Sequence, residues 1–535
     1  MWRMIALRPV AALATCALAL VVAACGGATT SAAPGATGTA GKGADAFPAS
    51  TLFFVDANAD VASSAWQKVR AVGARFPGYP KIEAKITAAL TETGKDGFSF
   101  ATDIQPWVGD EAAFGVLAIT LAGGKPKPQF VAYLSSRDDA KAIAAITRKG
   151  ETTKSGDYKG YGEFTGTVDG VFTAVGKGAV LIASDPTSLH ASIDAREGAA
   201  ADRLSGNPLY GEALGTLPDD NVLVGYADGA KLAQLAGTAF AAAAQGGKAS
   251  GLPATQVDQA LAQLEAIRAV AFSAGADDGG FRLRVATLLD EAKAKQLGGM
   301  QGAPLKLLDR APADALVFAG TPGFGDALDT AITNATASNP EVAQGIAGVE
   351  AMTGLSVQSD VLPLLSGEAG VYVSGGAPAK GALLLLPKDP AAAAASLTRI
   401  TAAISKPGGA DEPATTFAPV PFGEGQVAEV GGHDLSWLHD GDLIALGFDT
   451  AGAAPGGGLG DSVAFRGVSD AAKLPDKVGA LLYADLPGLV NLARRTRGEQ
   501  VPADALANIQ ALGGLLAWST QDDGVAKGEL YLQVK

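Results

Sequence analysis

The side chains able to do chemistry in this 535-residue chain are few: three histidines (His190, His433 and His439) and two cysteines (Cys16 and Cys25). Nucleophilic catalysis needs a nucleophile beside a base. No Gly-x-Ser-x-Gly elbow is present, so a Ser-His-Asp set has to be assembled in space from His190 or His433. The densest group of metal-ligand types is His433-Asp434-Leu-Ser-Trp-Leu-His439-Asp440-Gly441-Asp442. Imidazole with carboxylate suits zinc or another divalent ion, and makes His433 and His439 the residues a metal would use. On a strand, however, residues six apart stand about 20 Å from one another, too far to share one ion. A polar hairpin tip is the expectation there, and aligning the stretch with residues 170–179 sets His439 at Gly176. Asp56-x-Asn58-x-Asp60 opens like a calcium loop, but Val61 stands where the sharp turn needs Gly and Gln67 where a bidentate Glu is needed. A strand end followed by a helix cap explains it better. The glycine runs at 160–162 and 456–460 lack the lysine and spacing of a phosphate loop and read as surface loops. The chain is expected to have no catalytic residues, no resident metal and no cofactor.

Cys25 points to chemistry of another kind. Arg3 and Arg8 precede an apolar run from Pro9 to Ala24, too short to span a bilayer and ending in small residues, which is the pattern of a secretory signal peptide. Its end, Val22-Ala23-Ala24-Cys25, resembles the lipobox of bacterial lipoproteins, with Val at the aliphatic position. The resemblance implies lipidation of Cys25 and cleavage after residue 24. Cys16 leaves with residues 1–24, so the mature chain has no second thiol and no disulfide. Loss of Arg3 and Arg8 takes the net charge from −14 to −16. An acidic body argues against nucleic acid, which requires a basic face. Residues 25–47 are rich in Gly, Ala, Thr and Ser and read as a flexible tether. The expected partner is therefore a membrane, reached through acyl chains at Cys25 on the extracytoplasmic side.

The elements that would position any site come twice. Gly97–Glu111 aligns without gaps on Gly354–Glu368, and the same offset brings Tyr226-Ala227-Asp228 onto Tyr483-Ala484-Asp485. Pro48-Ala-Ser-Thr-Leu-Phe-Phe matches Pro312-Ala-Asp-Ala-Leu-Val-Phe, and Ala271-Phe272-Ser273 matches Ala517-Trp518-Ser519. Two homologous units are expected at 48–290 and 312–535, joined by a linker at 291–311. Within the first, strands are expected at 51–55, 112–119, 130–134, 171–175, 179–183, 222–226, 269–274 and 281–288. Helices are expected at 138–149, capped by Asp138, and at 253–267, with a counterpart starting at Pro502. The apolar run 240–244 reads as a packed core helix. Hairpins outnumber strand–helix–strand crossovers, so the fold class is α+β, two tandem repeats each with a mostly antiparallel sheet and packed helices. Asp103/Asp360, Pro106/Pro363 and Glu111/Glu368, carried in both halves, are expected to maintain the fold.

The Pro-led first strand and the Asp103-x-x-Pro106-Trp107-x-Gly109-Asp110 block resemble an uncharacterised group of bacterial exported proteins, domain of unknown function three-three-five-two. The second half departs from the block, with Leu364 for Trp and Ser366-Gly367 for Gly-Asp. The resemblance implies export and brings no activity or catalytic residues. With 48% hydrophobic and 18% charged residues, the chain is not disordered overall. A membrane-anchored envelope lipoprotein acting in binding, assembly or surface support is the leading expectation. The alternatives are a carrier or sensor of an apolar ligand such as a lipid, and a metal-dependent hydrolase.

Overall fold

The computed structural model describes residues 42–535 apart from 92–98, 123–124, 149–151, 167–169, 246–260, 263, 297–301, 339, 376–379, 406–414, 420–423, 431–432, 449–456, 498–501 and 523. The signal segment, Cys25 and the tether up to residue 41 lie outside the described residues, as does most of the helix expected at 253–267. The described chain forms two compact units, 42–290 and 291–535. Both are α+β with antiparallel strands.

The first unit has ten strands: β1 Phe53–Asn58, β2 Val108–Ala122, β3 Lys125–Ser136, β4 Thr152–Tyr158, β5 Tyr161–Gly166, β6 Phe172–Gly176, β7 Ala179–Ala183, β8 Leu223–Asp228, β9 Ile267–Asp277 and β10 Gly280–Leu289. They lie in the order β4-β5-β6-β7-β3-β2-β1-β8-β9-β10. Alternation along each strand sends side chains to two faces, and both are covered. One face carries Phe54 and Tyr226 beneath the helices Pro186–Glu197 and Pro208–Leu214. The other gathers Trp107, Phe164 and Val180 against the helix Asp139–Thr147, whose first turn Asp138 caps. Two Lys-Gly turns close hairpins here. Lys159-Gly160 joins β4 to β5 and Lys177-Gly178 joins β6 to β7, with positive φ at all four residues, the conformation a two-residue hairpin requires. The 160–162 run is therefore a hairpin rather than a surface loop, and Tyr161 is fully buried.

The second unit has β11 Ala315–Thr321, β12 Glu368–Ser374, β13 Lys380–Leu386, β14 Ala418–Pro419, β15 Glu424–Val430, β16 His433–Asp440, β17 Leu443–Phe448, β18 Ala480–Asp485, β19 Leu512–Asp522 and β20 Val525–Val534. Their order is β14-β15-β16-β17-β13-β12-β11-β18-β19-β20, the same succession as in the first unit. Phe318, Tyr372, Tyr483, Trp518 and Tyr531 form its main core with the helix Val463–Ala472. Ala369, Leu385 and Ile444 pack on the opposite face against Ala393 and Leu397 of the helix Pro390–Ile404.

Several segments pack more tightly than composition suggested. Residues 42–47, expected in the tether, contain the 3-10 turn Lys42–Ala46 and bury Ala44, Ala46 and Phe47 completely. The expected linker at 291–311 contributes a helix, Glu291–Gln296, and the core residues Leu307 and Ala311. Leu459 of the second glycine run is fully buried, held where its amide donates to the Ala311 carbonyl at 3.1 Å. Phe240, expected in a core helix, is 38% exposed. The match of Phe272 with Trp518 is one residue out of register. Tyr226 stands opposite Ala271 and Tyr483 opposite Leu516, so Trp518 takes the place of Ser273 and Phe272 faces the other side of the sheet.

Volume is exchanged between paired positions. A Cβ at Gly115 would meet the Phe47 ring at 2.6 Å, whereas at the matching places the second unit has Ala311 and Tyr372. Phe47→Ala is expected to destabilise the first unit by about 3–5 kcal/mol through the cavity it leaves. Gly115→Ala is expected to cost about 1–3 kcal/mol through overpacking. Chemical denaturation of the double variant should recover most of the Gly115→Ala penalty; additive losses would refute the pairing.

Candidate functional site

The candidates read from the sequence disperse. His433 and His439 lie at opposite ends of β16, an unbroken strand, so their backbones stay about 20 Å apart. Asp440 stands opposite Leu443 as Gly176 stands opposite Ala179, which sets His439 at the place of Val175, one residue short of the turn position expected. The His439 Nδ1 lies 3.8 Å from the Glu424 carboxylate across the hairpin. His190 has its Nε2 within 2.6 Å of Glu163 Oε1 and its ring stacked 4.0 Å from Tyr158, docking the β4–β5 hairpin onto the helix Pro186–Glu197. Among the described residues no three His, Cys, Asp or Glu side chains converge as a metal site. In the calcium-like motif Asn58 and Asp60 turn toward the following helix. The Asp60 amide donates to Asn58 Oδ1, the Asn58 amide group donates to Ser63 Oγ, and Ser63 caps the helix Ser64–Gly73.

The acidic residues common to both halves hold backbone. Asp103, 3% exposed, accepts from the Ser99 amide at 2.8 Å and pairs with Arg148 just beyond the helix Asp139–Thr147. Asp360 accepts from the Ser356 amide at 2.7 Å and pairs with Arg399 of the helix Pro390–Ile404. Each clip ties the turn before a strand to the helix covering one sheet face. Burial opposes the charged form of Asp103, but the Ser99 amide, the Thr102 hydroxyl and Arg148 together hold its pKa below the usual carboxylate value. Glu111 accepts from the Gly43 amide at 2.8 Å, and Glu368 from those of Leu307 at 2.7 Å and Lys306 at 3.1 Å. Both glutamates thus hold the 3-10 turn that precedes the first strand of their unit. Burial pushes the Glu368 carboxyl up despite its two amide donors. These contacts give all four residues a part in maintaining the fold.

The sequence left unmarked a buried polar layer in the first unit. Asp56 is 6% exposed and stands in register with Ala113 and Val224, while Tyr133 lies opposite Ala113 and Ser273 opposite Val224. Tyr210 packs edge-on against Tyr226 at 5.2 Å and against Phe54 at 5.8 Å. The hydroxyls of Tyr210 and Ser273 are buried with no hydrogen-bond partner among the described residues. No spacing signals this layer, because its members come from different strands and a helix. In the second unit a different surface stands out. Trp437, Leu446, Leu383, Val371, Ala319 and Leu482 form one row across adjacent strands, with Val371 47% and Leu482 39% exposed.

The Asp103 clip generates a pH prediction. A carboxylate whose pKa is depressed in the folded state adds stability above its unfolded value, and that stability is lost as the pH falls through the folded value. Asp103→Asn should therefore destabilise the first unit at neutral pH by about 1–3 kcal/mol. The gap between variant and wild type should close below about pH 4. A gap constant with pH in urea denaturation would refute the ionised clip.

A family model described as "Protein of unknown function (DUF3352)" matches residues 10–418. Comparison with curated proteins returned no match. Among solved structures, the chain is similar to TP0453 in crystal forms III, I and IV, at 7%, 8% and 6% identity and TM-scores of 0.24, 0.23 and 0.24. These alignments cover 49%, 46% and 48% of this chain and 81%, 78% and 81% of the other, a likeness too slight to carry an argument. The family model spans well over half of the sequence, and the protein belongs to the DUF3352 family.

Proposed function

We propose that the protein is a lipid-anchored component of the bacterial envelope, built from two tandem copies of one α+β unit and acting by binding, assembly or surface support rather than by catalysis. The observation that carries the anchor is Val22-Ala23-Ala24-Cys25 at the end of a signal-like run, with no cysteine after it. The tandem reading draws support from the shared strand order and from the matched Asp–Arg clips and glutamate clamps. Residues 42–47 pack into the first unit, which leaves residues 26–41 of the tether read from the sequence, a length that would reach roughly 60 Å if fully extended. That length lets an acidic body stand away from an anionic bilayer while the acyl chains hold it. Cys25→Ser should leave the precursor unprocessed or release the protein from the membrane fraction. Unchanged processing with retention in that fraction would sink the anchor.

A second reading, a carrier or sensor of an apolar ligand such as a lipid, rests on Val371 and Leu482, exposed at one end of a row whose other members Trp437, Leu446 and Leu383 pack against the cluster beneath the helix Pro390–Ile404. Large contiguous exposed apolar patches mark interaction or ligand sites. Native mass spectrometry of detergent-extracted protein should then show a co-purifying lipid that Val371→Asp removes. Clean apo protein would leave the support reading alone.

A further inference from the structure

The two units follow one strand order but differ chemically at one place, beneath the amino-terminal 3-10 turn of the first. Asp56 lies between Ala113 and Val224, and the matching position between Gly370 and Leu481 is Gly320. By the same registers Tyr133 is replaced by Leu384 and Ser273 by Trp518. Tyr210 meets Tyr226 edge-on at 5.2 Å and 76°, and Phe465 meets Tyr483 at 5.2 Å and 74°. The ring is retained and the hydroxyl is not. Carboxylate and hydroxyls are thus absent together from a unit that folds the same way, so the fold does not require them.

In the first unit Asp56 and Glu111 meet at Gly43. A Cβ there would lie 3.4 Å from Asp56 Oδ1 and 3.4 Å from the Glu111 carboxyl carbon, which places those two atoms no farther apart than twice that distance. The same Cβ would meet Ala113 Cβ at 3.1 Å, so only glycine fits between the two carboxyl groups without crowding. The Tyr210 side chain is 1% exposed, and its hydroxyl has no hydrogen-bond partner among the described residues. Tyr210 packs edge-on at 5.8 Å against Phe54, which shares its sheet face with Asp56 two residues on, and burial, followed by the charges of Asp56, Glu111 and Asp45, pushes the phenol far up and keeps it a neutral hydroxyl. All the donors are oxygens, the set that hard cations prefer over zinc or copper.

We propose that Asp56, Glu111 and the Tyr210 hydroxyl bind a hard divalent cation, calcium foremost, in the first unit only. One such ion would bridge the buried Asp56 carboxyl and the half-buried Glu111, whose other oxygen accepts from the Gly43 amide. Calcium accepts irregular shells of six to eight oxygens, so backbone carbonyls and water can complete the coordination. Of the calcium-like motif, only its first carboxylate takes part, because Asn58 and Asp60 are engaged in the helix cap.

The test uses the full mature chain stripped with a chelator. Terbium, excited through nearby aromatic rings, should give sensitised emission that saturates at one equivalent and is displaced by calcium. Asp56→Asn should lower terbium affinity at least tenfold and abolish the rise in Tm that calcium gives the wild type. Tyr210→Phe reproduces the ring found in the second unit, so it keeps the test sound if Asp56→Asn fails to fold; it should weaken calcium binding several-fold. Absent emission, emission and Tm shifts unchanged in both variants, or an equal Tm rise with sodium would each overturn the proposal.

Discussion

Each sheet carries a packed cluster on both faces, and the structure of each unit depends on closing the ends of those two layers without stranding backbone amides in the interior. Buried carboxylates meet that constraint. Glu111 and Glu368 take up the amides of a 3-10 turn that plugs one face, and Asp103 and Asp360 take up an amide at the turn that leads to the other. A buried amide without an acceptor costs more than an ordinary hydrogen bond contributes, so these few acceptors decide where the chain may turn inward. The arginine partners then bring the covering helix to the same point.

Around these fixed points the two cores are filled differently. Phe47 with Gly115 in one unit and Ala311 with Tyr372 in the other fill one space from opposite sides. Close packing allows such exchanges when total volume is conserved. The exchange at Asp56 and Gly320 is of another kind, since it replaces a buried carboxyl by an apolar filling and so changes chemistry as well as shape.

The candidate chemistry shows how far spacing alone carries. His433 and His439 are separated by their strand, and His190 serves as a docking residue for a hairpin. The polar layer was invisible in the sequence because Asp56, Glu111, Tyr133, Tyr210 and Ser273 belong to five elements spread over more than two hundred residues. Its one partial signal was the opening of the calcium-like motif, and there the inward face of Asp56 mattered more than the motif.

The sequence by itself determined the α+β class, most of the strands, the hairpin-rich pattern and the acidic residues shared by the halves. These follow from local periodicity and from matched blocks. Register and enclosure required the tertiary structure. A one-residue slip sends a side chain to the opposite face, which is why Trp518 aligns with Ser273 and not with Phe272. Small residues such as those of 42–47 look like a linker until neighbouring strands enclose them, and composition cannot distinguish small residues that are exposed from small residues that fit a tight space.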